Sequence, residues 1–249
     1  MSSRVAVLGA RGRMGTAACT AVEGADGLEL VARVDLGDDI TALAEAGAEV
    51  AVDFTRPDAV LDNLGWCVRN GVHVVVGTSG FTDDRLAHVR RLLDDFPDVG
   101  VLVVPNFSIG AVLAMRFAQQ AAPFFESVEV VEMHHPDKVD APSGTARRTA
   151  DLIAQARAEA GLGPVPDATT DDPEGARGAS IQGVAVHALR VRGLTASQEV
   201  VLGGPGETLT IRHDSHDRES FMPGVLSAVR AVADRPGLTV GLDAVLGLD

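Results

Sequence analysis

The run Val5-Ala6-Val7-Leu8 passes directly into Gly9-Ala10-Arg11-Gly12-Arg13-Met14-Gly15, and this junction restricts the chain to few folds. A strand without polar alternation has to be covered on both faces, as strands of a parallel sheet are. Glycines then allow a tight turn and close approach of backbone to a phosphate, and the helix that continues through Val22 sets its positive end against that anion. The spacing G-x-x-G-x-x-G is a variant of the dinucleotide-binding G-x-G-x-x-G. By itself it also serves a tight turn that holds nothing.

The segments beyond the first helix support the dinucleotide reading. A strand over 28–34 ends in Asp35, about twenty residues past Gly15, where a carboxylate accepts from ribose hydroxyls and favours NADH. Arg11 and Arg13 lie in the glycine loop and are placed to neutralise a 2'-phosphate, so NADPH is allowed as well. Strands over 50–54, 72–76 and 99–104 alternate with helices over 57–70 and 83–94. Repeated strand-helix units predict a parallel sheet, with ligand loops beyond the carboxyl ends of its strands. Gly9, Gly77-Thr78-Ser79-Gly80 and Pro105-Asn106-Phe107 open loops on that edge.

The pattern changes near Ile109. A helix over 109–124, a strand over 128–133 and a helix over 145–160 lead to a loop rich in Pro, Asp, Thr and Gly over 161–178. Strands over 184–191, 197–202 and 207–212 come next without helices between them, the last two joined through Gly203-Gly204-Pro205-Gly206 as a hairpin. A helix over 221–234 and an apolar tail over 238–248 end the chain, the tail suited to return to the first domain. The expected class is α/β: a Rossmann-type, doubly wound parallel-sheet domain over 1–108 and 218–249, with a smaller α+β substrate domain with an open mixed sheet over 109–217.

The densest chemistry lies in the loop between the strand over 128–133 and the helix over 145–160: Glu132-Met133-His134-His135-Pro136-Asp137-Lys138-Val139-Asp140-Ala141-Pro142-Ser143-Gly144-Thr145-Ala146. Gly144 and Thr145 at the helix start present backbone N–H groups to an anion, Lys138 adds a point charge, and His134 is able to act as acid or base near neutral pH. Adjacent histidines on a strand point to opposite faces, so one of the pair is open to a purely structural place. Back-to-back histidines without ligand-type spacing do not suit a metal ion, and none is expected.

The formal net charge of -14 over 249 residues argues against nucleic acid or an anionic membrane as a partner, and an anionic substrate needs a local cationic pocket. Cys19 and Cys67 fall in helices with no metal or redox spacing and read as buried free thiols, which suits a reducing cytoplasm. No signal-peptide pattern and no unbroken apolar span point elsewhere.

Taken together, the glycine loop, Gly77-Thr78-Ser79-Gly80-Phe81, Pro105-Asn106-Phe107-Ser108 and above all the run from Glu132 to Ala146 resemble the 4-hydroxy-tetrahydrodipicolinate reductase (dihydrodipicolinate reductase) family, across essentially the whole chain. The resemblance implies reduction of a small dicarboxylate ring compound in diaminopimelate and lysine biosynthesis, with NADH, NADPH or both. It implies His134 as proton donor and Lys138 as second catalytic cation. His135, Ser143, Gly144 and Thr145 become substrate-carboxylate contacts. Gly9, Ala10, Arg11, Gly12, Arg13, Met14, Asp35, Gly77, Thr78, Ser79, Val104, Pro105, Asn106 and Phe107 become cofactor contacts. It further implies a homotetramer assembled through the sheets of the second domain. Ser79 stands where many members carry a second Thr, and Asp35 has no following Arg, which weakens any NADPH preference. Two other readings stand beside it: a related two-domain dehydrogenase acting on another imino or amino acid, and a non-catalytic NAD-binding sensor.

Overall fold

The computed structural model describes residues 2–248. Its first part alternates β1 (Ser3–Leu8), α1 (Arg13–Glu23), β2 (Leu28–Val34), α2 (Ala42–Glu45), β3 (Val50–Asp53), α3 (Val60–Arg69), β4 (His73–Val76), α4 (Asp83–Asp94) and β5 (Gly100–Val103). The local causes are plain. Every residue of β3 and β5 is buried, as apolar runs without alternation require. The Thr82 side chain accepts from the Arg85 N–H at the start of α4, and Asp83 and Asp84 sit in its first turn, where the helix dipole favours acids.

The middle of the chain forms α5 (Ile109–Ala121), a 3-10 turn (Ala122–Phe124), β6 (Ser127–His134), α6 (Gly144–Glu159), β7 (Ala179–Ile181), β8 (Val184–Arg190), β9 (Ala196–Gly204) and β10 (Glu207–Ser215). Its five strands run in the order β10-β9-β6-β8-β7. Only β6 and β8 pair in parallel, which makes the sheet mixed. The expected hairpin is present, with Gly204 opposite Glu207 across the Pro205-Gly206 turn. One face of the sheet, Val128, Val130, Val184, Val186, Val200 and Leu202, packs on Ala118 and Ala122 and on Ala146, Ala150 and Ile153 of α6. The long loop after α6 is tethered: Arg157 donates to the Phe125 and Glu126 carbonyls, and Arg177 pairs with Glu129 and Asp167.

The chain ends with α7 (Met222–Val232), β11 (Gly237–Val240) and α8 (Asp243–Leu246). The stretch up to Ile109 and the part from Arg218 onward form one compact unit, and Gly110–Asp217 the other. In the first unit six parallel strands lie in the order β11-β5-β4-β3-β1-β2. Ala6, Leu8, Ala51, Val74, Val76, Val101 and Val103 face a core shared with Leu43, Val60, Leu64, Cys67, Val68, Val89 and Leu93 of α2, α3 and α4. The alternate residues Val5, Val7, Val52, Val75 and Leu102 are equally buried, and α7 packs on β3, β4, β5 and α1. The sheet is thus doubly wound, as the strand-helix alternation predicts.

Two strands escape a reading of pattern. β7 has three residues, Ala-Ser-Ile, too short to show a period. The tail expected over 238–248 overlaps β11, a partly exposed edge strand that starts at Gly237. Backbone pairing with β5 makes it a strand: the Gly237 N–H donates to the Val99 carbonyl at 2.9 Å, and Gly241 to Val103 at 2.8 Å.

Candidate functional site

In the first unit the predicted cofactor residues all lie past the carboxyl ends of adjacent parallel strands. Gly9 (φ +77) leaves β1, and a Cβ there would lie 2.6 Å from the Phe54 carbonyl oxygen. A Cβ on Gly15 would come within 2.0 Å of the Gly9 oxygen, so that glycine lets α1 start directly against the turn. Gly12 occupies the N-cap of α1 with no capping side chain and no acid in the first turn, which leaves the helix's positive end suited to a pyrophosphate. Gly77 comes after β4, and its missing side chain is what admits the rings of Phe54 and Phe107, which would stand 2.2 and 2.7 Å from a Cβ. Those rings meet edge to face with centroids 5.6 Å apart. The Val104 N–H donates to the Val76 carbonyl, tying the Val104–Phe107 loop to the Gly77 loop, and Gly224 of α7 packs against the Phe107 backbone.

Asp35 sits where the spacing puts it, and its carboxylate binds the glycine loop. It accepts from the Arg11 N–H at 2.6 Å and the Leu36 N–H at 2.8 Å, and these bonds hold its pKa below the usual carboxylate value. Arg11 does not project alone as the loop sequence suggests: its guanidinium is paired with Asp38 at 3.0 Å, and Asp38 also accepts from the Asp35 N–H. Arg13 is exposed at the start of α1. A third acid, Asp53, carries no functional mark in the sequence. Fully buried at the end of β3, it accepts from the Thr55 N–H and hydroxyl at 2.9 and 2.6 Å, from the Asn63 amide at 3.0 Å and from the Thr78 hydroxyl at 2.8 Å. It therefore fixes the predicted cofactor residue Thr78, while Ser79 is left exposed. The one local signal for it is an Asp closing an apolar strand two residues before a Thr.

In the second unit β6 alternates so that Val128, Val130 and Glu132 point into the core beneath α6, and His134 shares their side of the strand. His135 lies beyond the strand, and its carbonyl accepts from the Lys138 N–H in a turn. Ser143 caps α6: its hydroxyl accepts from the Ala146 N–H at 3.1 Å, so this predicted substrate contact serves first as a helix cap. Gly144 and Thr145 open the helix, and a Cβ on Gly144 would meet nothing within 4 Å, leaving room beside these amides. Lys138 is not an isolated charge. Its ammonium donates to Asp140 at 2.8 Å, which lowers the Asp140 pKa.

Glu132 joins these parts, although its place in the sequence marks it only as a strand residue. Its carboxylate is fully buried and has four donors: His134 Nδ1 at 2.5 Å, Arg190 Nη1 and Nη2 at 2.8 Å each, and the Ser143 N–H at 3.1 Å. Burial by itself raises the Glu132 pKa, but the Arg190 and His134 bonds outweigh it and leave it lowered. For His134, burial lowers the pKa, Glu132 opposes that fall, and the charges of Lys138 and Arg190 reinforce it. Arg190 ends β8 directly opposite His134 and also donates to the Asp140 carbonyl at 2.7 Å. Nothing in the sequence near Arg190 marks it, because register between two parallel strands places it here. The arrangement can hold a proton on an imidazole beside two cations and a helix N-terminus, which suits a carboxylate-bearing substrate.

A doubly wound parallel sheet with a glycine loop, together with a mixed-sheet unit carrying this acid-base cluster, defines a two-domain oxidoreductase of the pyridine-nucleotide class. The family models for the N-terminus and the C-terminus of dihydrodipicolinate reductase match residues 3–107 and 110–246. The chain belongs to the dihydrodipicolinate reductase family. It is 63% identical to the 4-hydroxy-tetrahydrodipicolinate reductase of Streptomyces griseus, over 99% of this chain and 98% of that one, and 62% identical to that of Nocardia farcinica over 100% of both. Among solved structures, a dipicolinate-bound dihydrodipicolinate reductase from Paenisporosarcina sp. TG-14 superposes with a TM-score of 0.86 at 37% identity, covering 98% of this chain and 99% of the other. An amine dehydrogenase from Mycobacterium smegmatis, with a TM-score of 0.63 and 15% identity, shares the fold alone.

The Asp53 cluster yields a stability prediction. Asp53→Ala strands the buried Thr78 hydroxyl and the part-buried donors of Thr55 and Asn63, and the loss should be about 2–4 kcal/mol in urea unfolding. A variant as stable as the parent would show that those donors are satisfied without the carboxylate.

Proposed function

We propose that this chain reduces 4-hydroxy-tetrahydrodipicolinate to tetrahydrodipicolinate, with loss of water, in the formation of diaminopimelate and lysine. The observation that carries the reading is the gathering of His134, Lys138 and the first amides of α6 at one strand-helix loop, in a chain that matches reductases of this name from end to end. Loss of water from the hydroxylated ring leaves a carbon-carbon double bond conjugated with the ring imine. A bound reduced nicotinamide supplies hydride to the ring carbon distal to nitrogen. As charge builds along the conjugated system, His134 donates the proton that completes the reduction, and Lys138 lowers the energy of that charge. His135, Gly144 and Thr145 grip the substrate carboxylates, with Ser143 holding the helix start in place.

The first unit is suited to the nucleotide by its uncapped α1 N-terminus and by the glycines at 9, 12 and 15, where side chains would crowd the turn. Gly9 to Met14 and Asp35 are assigned to the dinucleotide, and Gly77 to Ser79 with Val104 to Phe107 to the nicotinamide end. NADH is the preferred donor in this reading. Asp35 accepts from ribose hydroxyls and repels a 2'-phosphate, while the Arg11 charge is already met by Asp38.

On the face of the second unit's sheet that bears Glu129, Val131, Met133, His187 and Leu189, no helix packs among the described residues, and Leu189 is 39% exposed. That open face supports assembly of a homotetramer through this sheet. Light scattering should give about four times the 25.8 kDa chain mass, and a monomer at micromolar concentration would exclude such assembly.

Turnover with enzymatically generated substrate, followed as loss of nicotinamide absorbance, tests the activity. His134→Gln and Lys138→Ala should each lower kcat by roughly 100-fold or more with little change in NADH affinity. A protein that binds NADH but turns over nothing would be the sensor, and one active only on another imino acid would be the related dehydrogenase. Asp35→Ala should lower the ratio of kcat/KM for NADH to that for NADPH by about 10-fold or more. An unchanged ratio would remove Asp35 from the ribose site.

A further inference from the structure

The proposed proton donor is held by a residue with no exposed surface, Glu132. Glu132 occupies a core position on β6 in the Val128, Val130, Glu132 series, where an apolar side chain would satisfy packing at lower cost. A buried carboxylate there needs every lone pair engaged, and it has that: bidentate Arg190 from β8, the Ser143 amide from the start of α6, and His134 Nδ1 at 2.5 Å. The three anchors come from three separate elements, so the carboxylate has one orientation and the imidazole bound to it has little freedom to turn.

We propose that Glu132 is a positioning residue for the reduction: its carboxylate, clamped by Arg190, keeps the proton on Nδ1 of His134 and leaves Nε2 as the nitrogen that passes a proton to the substrate. Arg190 is the second half of the device. By sharing the carboxylate it limits how strongly Glu132 holds the imidazolium, and through the Asp140 carbonyl it fixes the loop that carries Lys138. The charged groups facing His134 are Glu132 on its own strand, Arg190 on β8, and Lys138 in the following loop, the last paired with Asp140. A neutral residue at 132 removes the only anion among the three. A neutral residue at 190 removes a cation and frees the carboxylate for the imidazole. The two substitutions therefore act on His134 in opposite directions, whereas simple loosening of the fold moves both the same way.

The inference rests on His134 as proton donor, and the test separates the two. In full-length Glu132→Gln, kcat should fall roughly 10- to 1000-fold with KM for NADH unchanged, and the high-pH decline of kcat should move down by about one pH unit or more. In Arg190→Gln the same decline should move up. Nitrogen-15 NMR of the His134 ring, titrated in the parent and both variants without turnover, should show the same opposite shifts, with Nδ1 losing its bonded-proton signature only in Glu132→Gln. Identical ring titrations in all three proteins, with His134→Gln inactive, would overturn the role of Glu132 alone. Opposite ring shifts with His134→Gln fully active would instead overturn the donor assignment. A same-direction shift in both variants would mean that Glu132 supports the fold rather than the imidazole.

Discussion

A single buried carboxylate ties the second unit together. Glu132 stands where β6 requires a core side chain, and its charge is tolerated only because Arg190, His134 and the Ser143 amide meet it from different elements. Those bonds bring the end of β6, the end of β8 and the start of α6 to one point. Lys138 and Asp140 attach to that point through Arg190's bond to the Asp140 carbonyl. The proposed catalytic groups are thus held at the margin of a packed core, although the segment that carries most of them is a loop.

The first unit solves the same problem with acids and glycines. Asp53 fixes Thr55, Asn63 and Thr78, while Asp35 and Asp38 fix the glycine loop and its arginine. Gly9, Gly15 and Gly77 admit backbone or aromatic neighbours at distances that no side chain allows. An acidic chain therefore carries its anion-binding features locally, at helix N-termini and at a few paired cations, and its overall charge does not describe either site.

Much of the fold was legible because it depends on local signals. Apolar runs without alternation marked β1, β3, β4 and β5, and a helical pattern over 83–94 marked α4. Where pairing rather than pattern makes a strand, as in β7 and β11, the sequence carried little sign of it. The site divides in the same way. His134, Lys138, Ser143, Gly144 and the glycine loop lie in contiguous motifs with recognisable chemistry. Asp38, Asp53 and Arg190 are single charged residues in ordinary surroundings, and Glu132, although it opens the histidine-lysine run, reads there only as a strand residue; each acquires its part from a neighbour remote in the chain or from burial.

By itself the amino-acid sequence determined which segments are strands buried on both faces, where helices begin, and which loops collect glycine, histidine and lysine, since these depend on spacing, propensity and side-chain chemistry over a few residues. Only the tertiary structure decided that Arg11 is met by Asp38, that Lys138 is met by Asp140, and that Glu132 faces His134 with Arg190 behind it. The Arg190 contact depends on strand register and the Arg11–Asp38 pair on loops remote in the chain. The Lys138–Asp140 and Glu132–His134 pairs, though two residues apart, depend on loop conformation and desolvation that spacing alone does not fix.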